Sequence, residues 1–381
     1  MPSAPTRLAA LDGLRLIAAL SVALYHYGTS WRLDGVHPPS YHLPAASHVT
    51  IYGFLGVELF FLISGFVICM SSWGRGLGRF AISRVSRLYP AYWVAIAITA
   101  TVVTVLPITG GVPIPPTPLT TGGVLTNLTM LQQPFGVAAV DTVYWTLWTE
   151  LRFYLLFALV VGVGLTYRRA VGFCIVWMLA AVLTPKLGSP LLDMVVMADF
   201  APYFIAGIAM YLMHRFGPTL MLWAIVGVSW LLCLPRVAVR MADVHPGFDV
   251  PAWPGVVIMT GCFAVLLLIA LRRADRIDWR WLTVAGALTY PFYLLHQRIG
   301  YALMRTAYPH VSLPAWVLIA TTTATMLALA WLVHRYVERP LSPIMRRSLT
   351  TALNHLPRRT PRPEPVPAAQ EPELTGAERR S

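Results

Sequence analysis

The feature of this sequence that most constrains its fold is a succession of long apolar stretches joined by short connections. A helix needs about 20 mostly apolar residues to cross the hydrocarbon core of a bilayer. Ten candidate stretches, the fifth of which is short, lie near residues 8–28, 50–71, 90–107, 143–165, 170–184, 197–214, 219–235, 254–271, 281–301 and 314–336. Backbone groups in lipid must be hydrogen-bonded internally. The ten stretches therefore predict an all-α, polytopic membrane helix bundle of about ten transmembrane helices.

The balance of charged and apolar residues agrees with a membrane location. Charged residues make up 12% of the chain, whereas soluble domains carry about 25%, so much of the exterior must face lipid. A net charge of +13 would suggest nucleic-acid binding in a soluble protein. Here the basic residues stand between apolar stretches. We therefore expect a multi-pass protein of the cell (plasma) membrane, with the lipid bilayer and no nucleic acid among its partners.

Arginines concentrate in every second connection, and this distribution predicts the orientation of the bundle. Connections two, four, six and eight carry Arg75, Arg79, Arg84, Arg87, Arg168, Arg169, Arg215, Arg272, Arg273, Arg276 and Arg280. The intervening connections carry only scattered charge, such as Arg236 and Arg240 in the seventh. Because cytoplasmic connections are enriched in Lys and Arg, both termini are predicted to be cytoplasmic.

The chain divides into one large unit and a tail. Residues 1–345 are predicted to form the transmembrane domain, and residues 346–381 a disordered, proline-rich cytoplasmic tail. The composition of the tail, with charges of both signs, cannot form a packed core. A further apolar segment, residues 122–133, is too short to span the bilayer and could lie at the interface or re-enter.

Ionisable residues in the first span indicate a candidate site, because a charged group in lipid is costly and usually faces the bundle interior. Arg15 and His26 are eleven residues apart, or about 16 Å along a helix, so both could face one channel. Alternatively, Arg15 could extend to the membrane surface and His26 could lie at the outer interface. Position alone leaves both interpretations open.

Three other polar residues lie in predicted spans: Glu58, Glu150 and His296. Glu150 follows two tryptophans and could be an interface anchor. However, Glu150 and His26 both fall in the outer half of the predicted bundle. A carboxylate and an imidazole at one depth can form an acid–base pair, and His296 adds a third polar group at that level.

Arg84 and Arg87 lead into the third span on the predicted cytoplasmic side. Arginines three apart on a helix share a face and could bind phosphates. They could also be ordinary cytoplasmic charge, and composition alone favours this second interpretation.

Several separated motifs, taken together, resemble the acyltransferase 3 family of membrane O-acyltransferases over residues 8 to about 340. In family order, the motifs are Leu11-Asp12-Gly13-Leu14-Arg15 with His26, Gly56 to Phe66, Arg84-x-x-Arg87-x-x-Pro90, Trp145 to Tyr154, Tyr290 to His296, and Glu338-Arg339-Pro340. The chain departs from the family pattern at Glu58, where aspartate is common, and at Pro291, which interrupts the Tyr290–Tyr293 stretch.

The resemblance implies roles for particular residues. In the family, the arginine and histidine of the first span are regarded as active-site residues, and the R-x-x-R motif is linked to the acyl-CoA donor. The predicted catalytic residues are His26, Glu150 and Arg15. The predicted substrate-binding residues are Arg84, Arg87, Glu58, Tyr293 and His296.

Transfer of an acyl group from a thioester to a hydroxyl requires a base and stabilisation of an oxyanion. Neutral His26 can accept the proton, and Glu150 could hold the tautomer of the ring; a covalent acyl-histidine is the alternative. We expect acyl-CoA, in particular acetyl-CoA, as co-substrate. No permanently bound cofactor and no metal are expected, and the four cysteines form no CxxC pair.

The acceptor is expected to be a hydroxyl of a sugar, glycan or glycosylated metabolite. A surface polysaccharide, a lipid-linked sugar and a macrolide all remain open. Some family members carry an extra hydrolase-like domain, for which this chain has no room, so direct transfer is expected. The competing function is a transporter that exports a sugar or lipid without acyl transfer, since intramembrane ionisable residues also suit a substrate pathway. However, the sequence contains no visible pair of broken or inverted-repeat helices.

Overall fold

The computed structural model describes residues 8–108, 119–245 and 250–355, and these residues form helices and connections without any strand. The main helices are α1 (Ala9–Gly28), α2 (Gly56–Ser72), α3 (Leu77–Val105), α4 (Trp145–Gly162), α5 (Tyr167–Leu187), α6 (Ala201–Phe216), α7 (Leu220–Val244), α8 (Ala252–Ala270), α9 (Arg280–Ala307), α10 (Ala315–Val333) and α11 (Arg339–His355). The predicted all-α membrane bundle is therefore confirmed.

Within the described ranges, nine helical segments are long and apolar enough to cross a membrane, and they contain α1 to α8 and α10. The ninth predicted span, α9, is not among them. Its polar residues are nevertheless inside the bundle, since His296, Gln297 and Arg298 are all buried. Helix α9 packs against α1, α3 and α10, so its polar groups face protein rather than lipid.

Two helices extend further than their apolar stretches predict. Helix α3 begins at Leu77, so Arg84 and Arg87 stand on a helix that starts well before the predicted span at residue 90. Helix α7 continues to Val244, past the predicted end at 235. Arg240 therefore lies on α7 and not in a connection.

The predicted boundary between bundle and tail at residue 345 falls inside α11, which runs to His355. A short π-helical turn, His334–Glu338, joins α10 to α11 without a break. The predicted disorder is therefore wrong for residues 346–355, which continue this helix. The rest of the predicted tail, residues 356–381, lies outside the described residues.

Glycines allow the central helices to approach closely. Gly65 of α2 lies against the backbone of Phe204, and Gly207 of α6 lies against the backbone of Leu62. Gly286 of α9 similarly contacts Asp12 of α1. Small residues of this kind let helix backbones meet within a membrane, and these contacts fix the positions of α1, α2 and α9 around the site.

The apolar segment 122–133 begins in a short helix, Thr121–Asn127. Tyr92 and Trp93 of α3 donate hydrogen bonds to the carbonyls of Asn127 and Leu128. The segment is thus anchored along α3. The buried Asn127 side chain donates to the carbonyls of Gly123 and Ala138.

Candidate active site

An inner cavity lies between α1, α2, α3, α4 and α9 and has a volume of about 80 Å³. Its charged and phenolic lining residues are Arg15, Arg84, Arg87, Glu150, Tyr154, Tyr290 and Tyr293. Three guanidinium groups thus face this space together with one carboxylate. The cavity opens at the end of the bundle that is predicted to be cytoplasmic, where Arg84 and Arg87 stand.

Glu150 is held at the inner cavity by two hydroxyl groups. Ser64 of α2 donates to its Oε1 atom at 3.0 Å, and Tyr154 donates to the same atom at 2.5 Å. The guanidinium carbon of Arg84 lies 5.8 Å from the centre of the Tyr154 ring. Glu150 is therefore part of the arginine-lined cavity.

Arg84 is the more deeply placed member of the R-x-x-R pair, with 8% of its surface exposed. It donates hydrogen bonds to Ser71 and Ser83, at 3.2 and 3.1 Å. Arg87 is exposed. Both arginines line the inner cavity and also a larger groove outside it, so they stand at the junction between the two spaces.

An outer cavity of about 210 Å³ lies further along α1 and α9. Its polar and aromatic lining residues are Tyr25, His26, Phe54, Thr142, Trp145, Arg240, Tyr293 and Gln297. Val57 and Tyr293 line the inner cavity as well. The two cavities are thus neighbours, and Tyr293 lies between the arginine-lined space and His26.

His26 uses one ring nitrogen for its contacts with the protein. Its Nδ1 atom lies 3.2 Å from the Ser30 hydroxyl, 3.1 Å from the Gln297 amide nitrogen and 3.3 Å from the Tyr301 hydroxyl. No hydrogen bond to Nε2 is found within the described part of the chain. The Gln297 amide nitrogen can only donate, so in this orientation Nδ1 accepts a hydrogen bond and Nε2 carries the proton. When the amide turns and its oxygen accepts the Nδ1 proton, the lone pair of Nε2 is free to accept a proton from a molecule in the cavity.

The expected contact between Glu150 and His26 is wrong. Gln297 occupies that place, and its amide oxygen accepts a hydrogen bond from Thr142 at 2.6 Å. Thr142 therefore marks the level of His26. Glu150 lies eight residues further along the chain, which corresponds to about 12 Å of helix. Its assignment as a catalytic residue stays a prediction, but it faces the inner cavity.

His296 and Tyr293 occupy different positions relative to the cavities. The His296 side chain is fully buried and lines neither cavity. Its Nδ1 atom donates to the Tyr293 carbonyl at 2.8 Å, and its ring centre lies 5.3 Å from that of His26. The Tyr293 hydroxyl accepts a hydrogen bond from Thr146 at 3.0 Å. Tyr293 can contact substrate, whereas His296 supports His26 from behind.

Glu58 also lies behind the cavity wall, with 1% of its surface exposed. Its Oε1 atom lies 3.3 Å from Nε of Arg240, and Arg240 lines the outer cavity. The guanidinium group lies over the rings of Trp145 and Phe200, at 5.5 and 5.6 Å. The predicted contact of Glu58 with substrate is therefore replaced by a contact with Arg240, which the carboxylate positions.

Arg240 and Gln297 were not predicted as site residues. A buried carboxylate such as Glu58 requires a cationic partner, and Arg240 was a cation on the same predicted side. The need of Glu58 for a cationic partner could therefore have indicated Arg240 from the sequence. Gln297 directly follows a predicted motif and gave no signal of its own. Among the described residues, no cluster of three or more His, Cys, Asp or Glu side chains could hold a metal ion.

Comparison with known proteins identifies the family. A family model described as "Acyltransferase domain" matches residues 8–335. The chain is 28% identical to the acyltransferase MdmB of Streptomyces mycarofaciens, over 99% of this chain and 100% of that protein. It is 32% identical to the peptidoglycan O-acetyltransferase OatA of Listeria monocytogenes, over 23% of this chain and 12% of that protein.

A third relative is protein 2 in the picA locus of Rhizobium radiobacter, 35% identical over 26% of this chain and 47% of that protein. No solved structure matches the chain. The matched region contains the whole of α1 to α10 and hence every helix that lines the two cavities. The chain belongs to the acyltransferase 3 family and is a multi-pass membrane acyltransferase.

Proposed function

We propose that the protein transfers an acetyl group from acetyl-CoA to a hydroxyl of a sugar, glycan or glycosylated metabolite, in the cell membrane. One observation carries this proposal: the chain of contiguous spaces that leads to His26. Arg84 and Arg87 line the outside groove and the inner cavity, and Tyr293 lines the inner and the outer cavity. A donor with a charged head and a thin acyl-bearing arm matches that succession.

The positive charge at the entrance of the inner cavity suits such a donor. Guanidinium groups bind phosphate oxygens through paired hydrogen bonds, and Arg84 and Arg87 stand where the phosphates of an acyl-CoA would enter. The pantetheine arm would then pass Arg15 toward Tyr293. The name of OatA, a peptidoglycan O-acetyltransferase, supports an acetyl group and a carbohydrate hydroxyl.

The chemical step would take place at Nε2 of His26. The acceptor hydroxyl gives its proton to Nε2 while its oxygen attacks the thioester carbonyl carbon. The tetrahedral intermediate then collapses with cleavage of the carbon–sulfur bond, and the imidazolium returns the proton to the CoA sulfur. Arg240, held by Glu58, can stabilise the oxyanion from the outer cavity. In the covalent alternative, Nε2 attacks the carbonyl first, and cleavage of the carbon–sulfur bond releases the CoA thiolate and leaves an acyl-histidine. The acceptor hydroxyl then attacks this acyl group and releases Nε2, and its proton passes to the thiolate.

Labelled acetyl-CoA tests the donor, the acceptor class and the competing transporter. Membranes that contain the protein would be incubated with it and with a glycan, a lipid-linked sugar or a glycosylated metabolite. We expect an acetyl ester on one acceptor class, and none with membranes that lack the protein. If vesicles take up an acceptor and no ester forms with any acyl-CoA, the proposed reaction is wrong.

A further inference from the structure

A basic groove runs along the end of the bundle that is predicted to be cytoplasmic. It lies between the beginning of α3 and the helix α11, is open to solvent and has a volume of about 960 Å³. Its seven arginines are Arg75, Arg79, Arg84, Arg87, Arg339, Arg346 and Arg347. Leu353 of α11 packs against Gly78 of α3, and this contact holds the two walls together.

The positive charge of the basic groove is not compensated by carboxylates of the described residues. Glu338 is the only carboxylate among the residues that line it, and Glu338 is paired with His334 at 2.7 Å. Within the described chain, none of the seven arginines lies within ion-pair distance of a carboxylate. Like charges gathered in this way repel one another, so the groove is suited to a ligand with several negative charges.

The length of the last helices places the basic groove beyond the hydrocarbon core. The continuous helical segment Ala315–His355 has 41 residues, which corresponds to about 62 Å of helix. The hydrocarbon core is only about 30 Å thick, and α10 alone is long enough to cross it. Helix α11 is therefore on the aqueous side, where a soluble anion can reach its arginines.

We propose that Arg339, Arg346 and Arg347 of α11 form the second wall of a binding site for the nucleotide phosphates of the donor, the 3′-phosphate and the diphosphate of CoA. This inference rests on the proposed function. Arg84 and Arg87, which also line the inner cavity, bind the phosphates next to the pantetheine arm. The α11 arginines bind from the opposite side, so a helix outside the membrane contributes to donor affinity and leaves the chemistry at His26 unchanged.

The test compares three donors on the purified full chain: acetyl-CoA, acetyl-dephospho-CoA and acetyl-pantetheine. For Arg346→Gln/Arg347→Gln we expect the KM for acetyl-CoA to rise about tenfold or more, with kcat nearly unchanged, because phosphate contacts are lost in ground state and transition state alike. The KM for acetyl-pantetheine, which has no nucleotide, should not change. The KM for acetyl-dephospho-CoA should rise less than that for acetyl-CoA.

Arg168→Gln/Arg335→Gln is the matched control. It removes the same charge from exposed arginines that do not line the basic groove, so it should leave all three KM values unchanged. If both double variants raise the KM for acetyl-CoA equally, the effect is one of net charge and the proposal is overturned. An unchanged KM in Arg346→Gln/Arg347→Gln overturns it as well.

Calorimetric binding of adenosine 3′,5′-bisphosphate separates this inference from the proposed reaction, because it requires no acyl transfer. We expect binding to the native protein and about tenfold weaker binding to Arg346→Gln/Arg347→Gln. Nucleotide binding with this dependence supports the inference even if no ester is ever formed. The same titration in micelles with phosphatidylglycerol tests a lipid headgroup as the source of phosphate. Loss of phosphatidylglycerol binding with intact nucleotide binding would overturn the proposal.

Discussion

The two ring nitrogens of His26 have different surroundings. Nδ1 is surrounded by Ser30, Gln297 and Tyr301, while Nε2 has no hydrogen bond among the described residues. A general base must keep its lone pair toward the substrate, and the partner of the other nitrogen decides whether it does. The hydroxyls of Ser30 and Tyr301 can each accept the Nδ1 proton, but the amide nitrogen of Gln297 can only donate to Nδ1. The tautomer that base catalysis needs therefore requires the Gln297 amide to turn its oxygen toward Nδ1.

Replacement of His26 tests its role as the base. His26→Ala should lower kcat by at least about 100-fold, because a general base contributes about 10²–10⁴-fold. The variant should insert at normal levels and still bind the donor, since the arginines lie at the other end of the bundle. His214→Ala is the control, because His214 lines a separate pocket beside Arg272. Near-native turnover in a well-inserted His26→Ala protein would exclude His26 as the base.

Gln297 is expected to set the orientation of His26, since it bridges Nδ1 to Thr142. Gln297→Leu should lower kcat and leave the KM for acetyl-CoA unchanged. Gln297→Glu places a carboxylate beside the ring, which stabilises the imidazolium. More of the base is then protonated at a given pH, so the acidic limb of the pH–rate profile should move to higher pH. An unchanged profile together with an unchanged kcat in Gln297→Leu would contradict this role.

At the scale of the helices, apolar length predicted most spans well, but it could not predict how far polar helical ends continue. Helix α3 starts in the arginine-rich segment and α7 ends beyond Arg240, because a helix that leaves the hydrocarbon core needs no apolar residues. The motifs indicated Arg15, Arg84 and Glu150 as site residues, but they did not predict that Glu150 lies at the same cavity as the two arginines. The depth of Glu150 depends on where α4 begins relative to α1, and that is determined by tertiary packing.

Helix α9 provides the strictest test of the predicted topology, because it is not apolar enough to be recognised as a span by composition. Reporter fusions after Arg276 and after Leu313 flank this helix. If α9 crosses the membrane, the two reporters should lie on opposite sides, with Arg276 on the same side as a fusion after Arg169. Two reporters on the same side would mean that the bundle has an odd number of spans and that its termini lie on opposite faces.

At the scale of the whole molecule, the basic groove, the inner cavity and the outer cavity follow one another along the bundle, and each shares lining residues with the next. The groove lies at the end that holds Arg84 and Arg87, and His26 lies about 16 Å further than Arg15 along α1. The phosphates of the proposed acyl-CoA donor carry several charges and cannot follow the acyl group into an apolar bundle. The arrangement therefore favours a donor and an acceptor that enter from opposite faces.

Sealed proteoliposomes test this arrangement with two water-soluble, impermeant substrates. With a glycan acceptor enclosed and acetyl-CoA added outside, ester should form on the protein molecules whose arginine-lined end faces outward. With donor and acceptor both outside, little ester should form, because each molecule presents only one of its two entrances to that solution. Detergent, which exposes both faces, should then restore the rate. Rapid transfer in sealed vesicles with both substrates on one side would show that donor and acceptor share an entrance, and the path past Tyr293 would not carry the acyl group across.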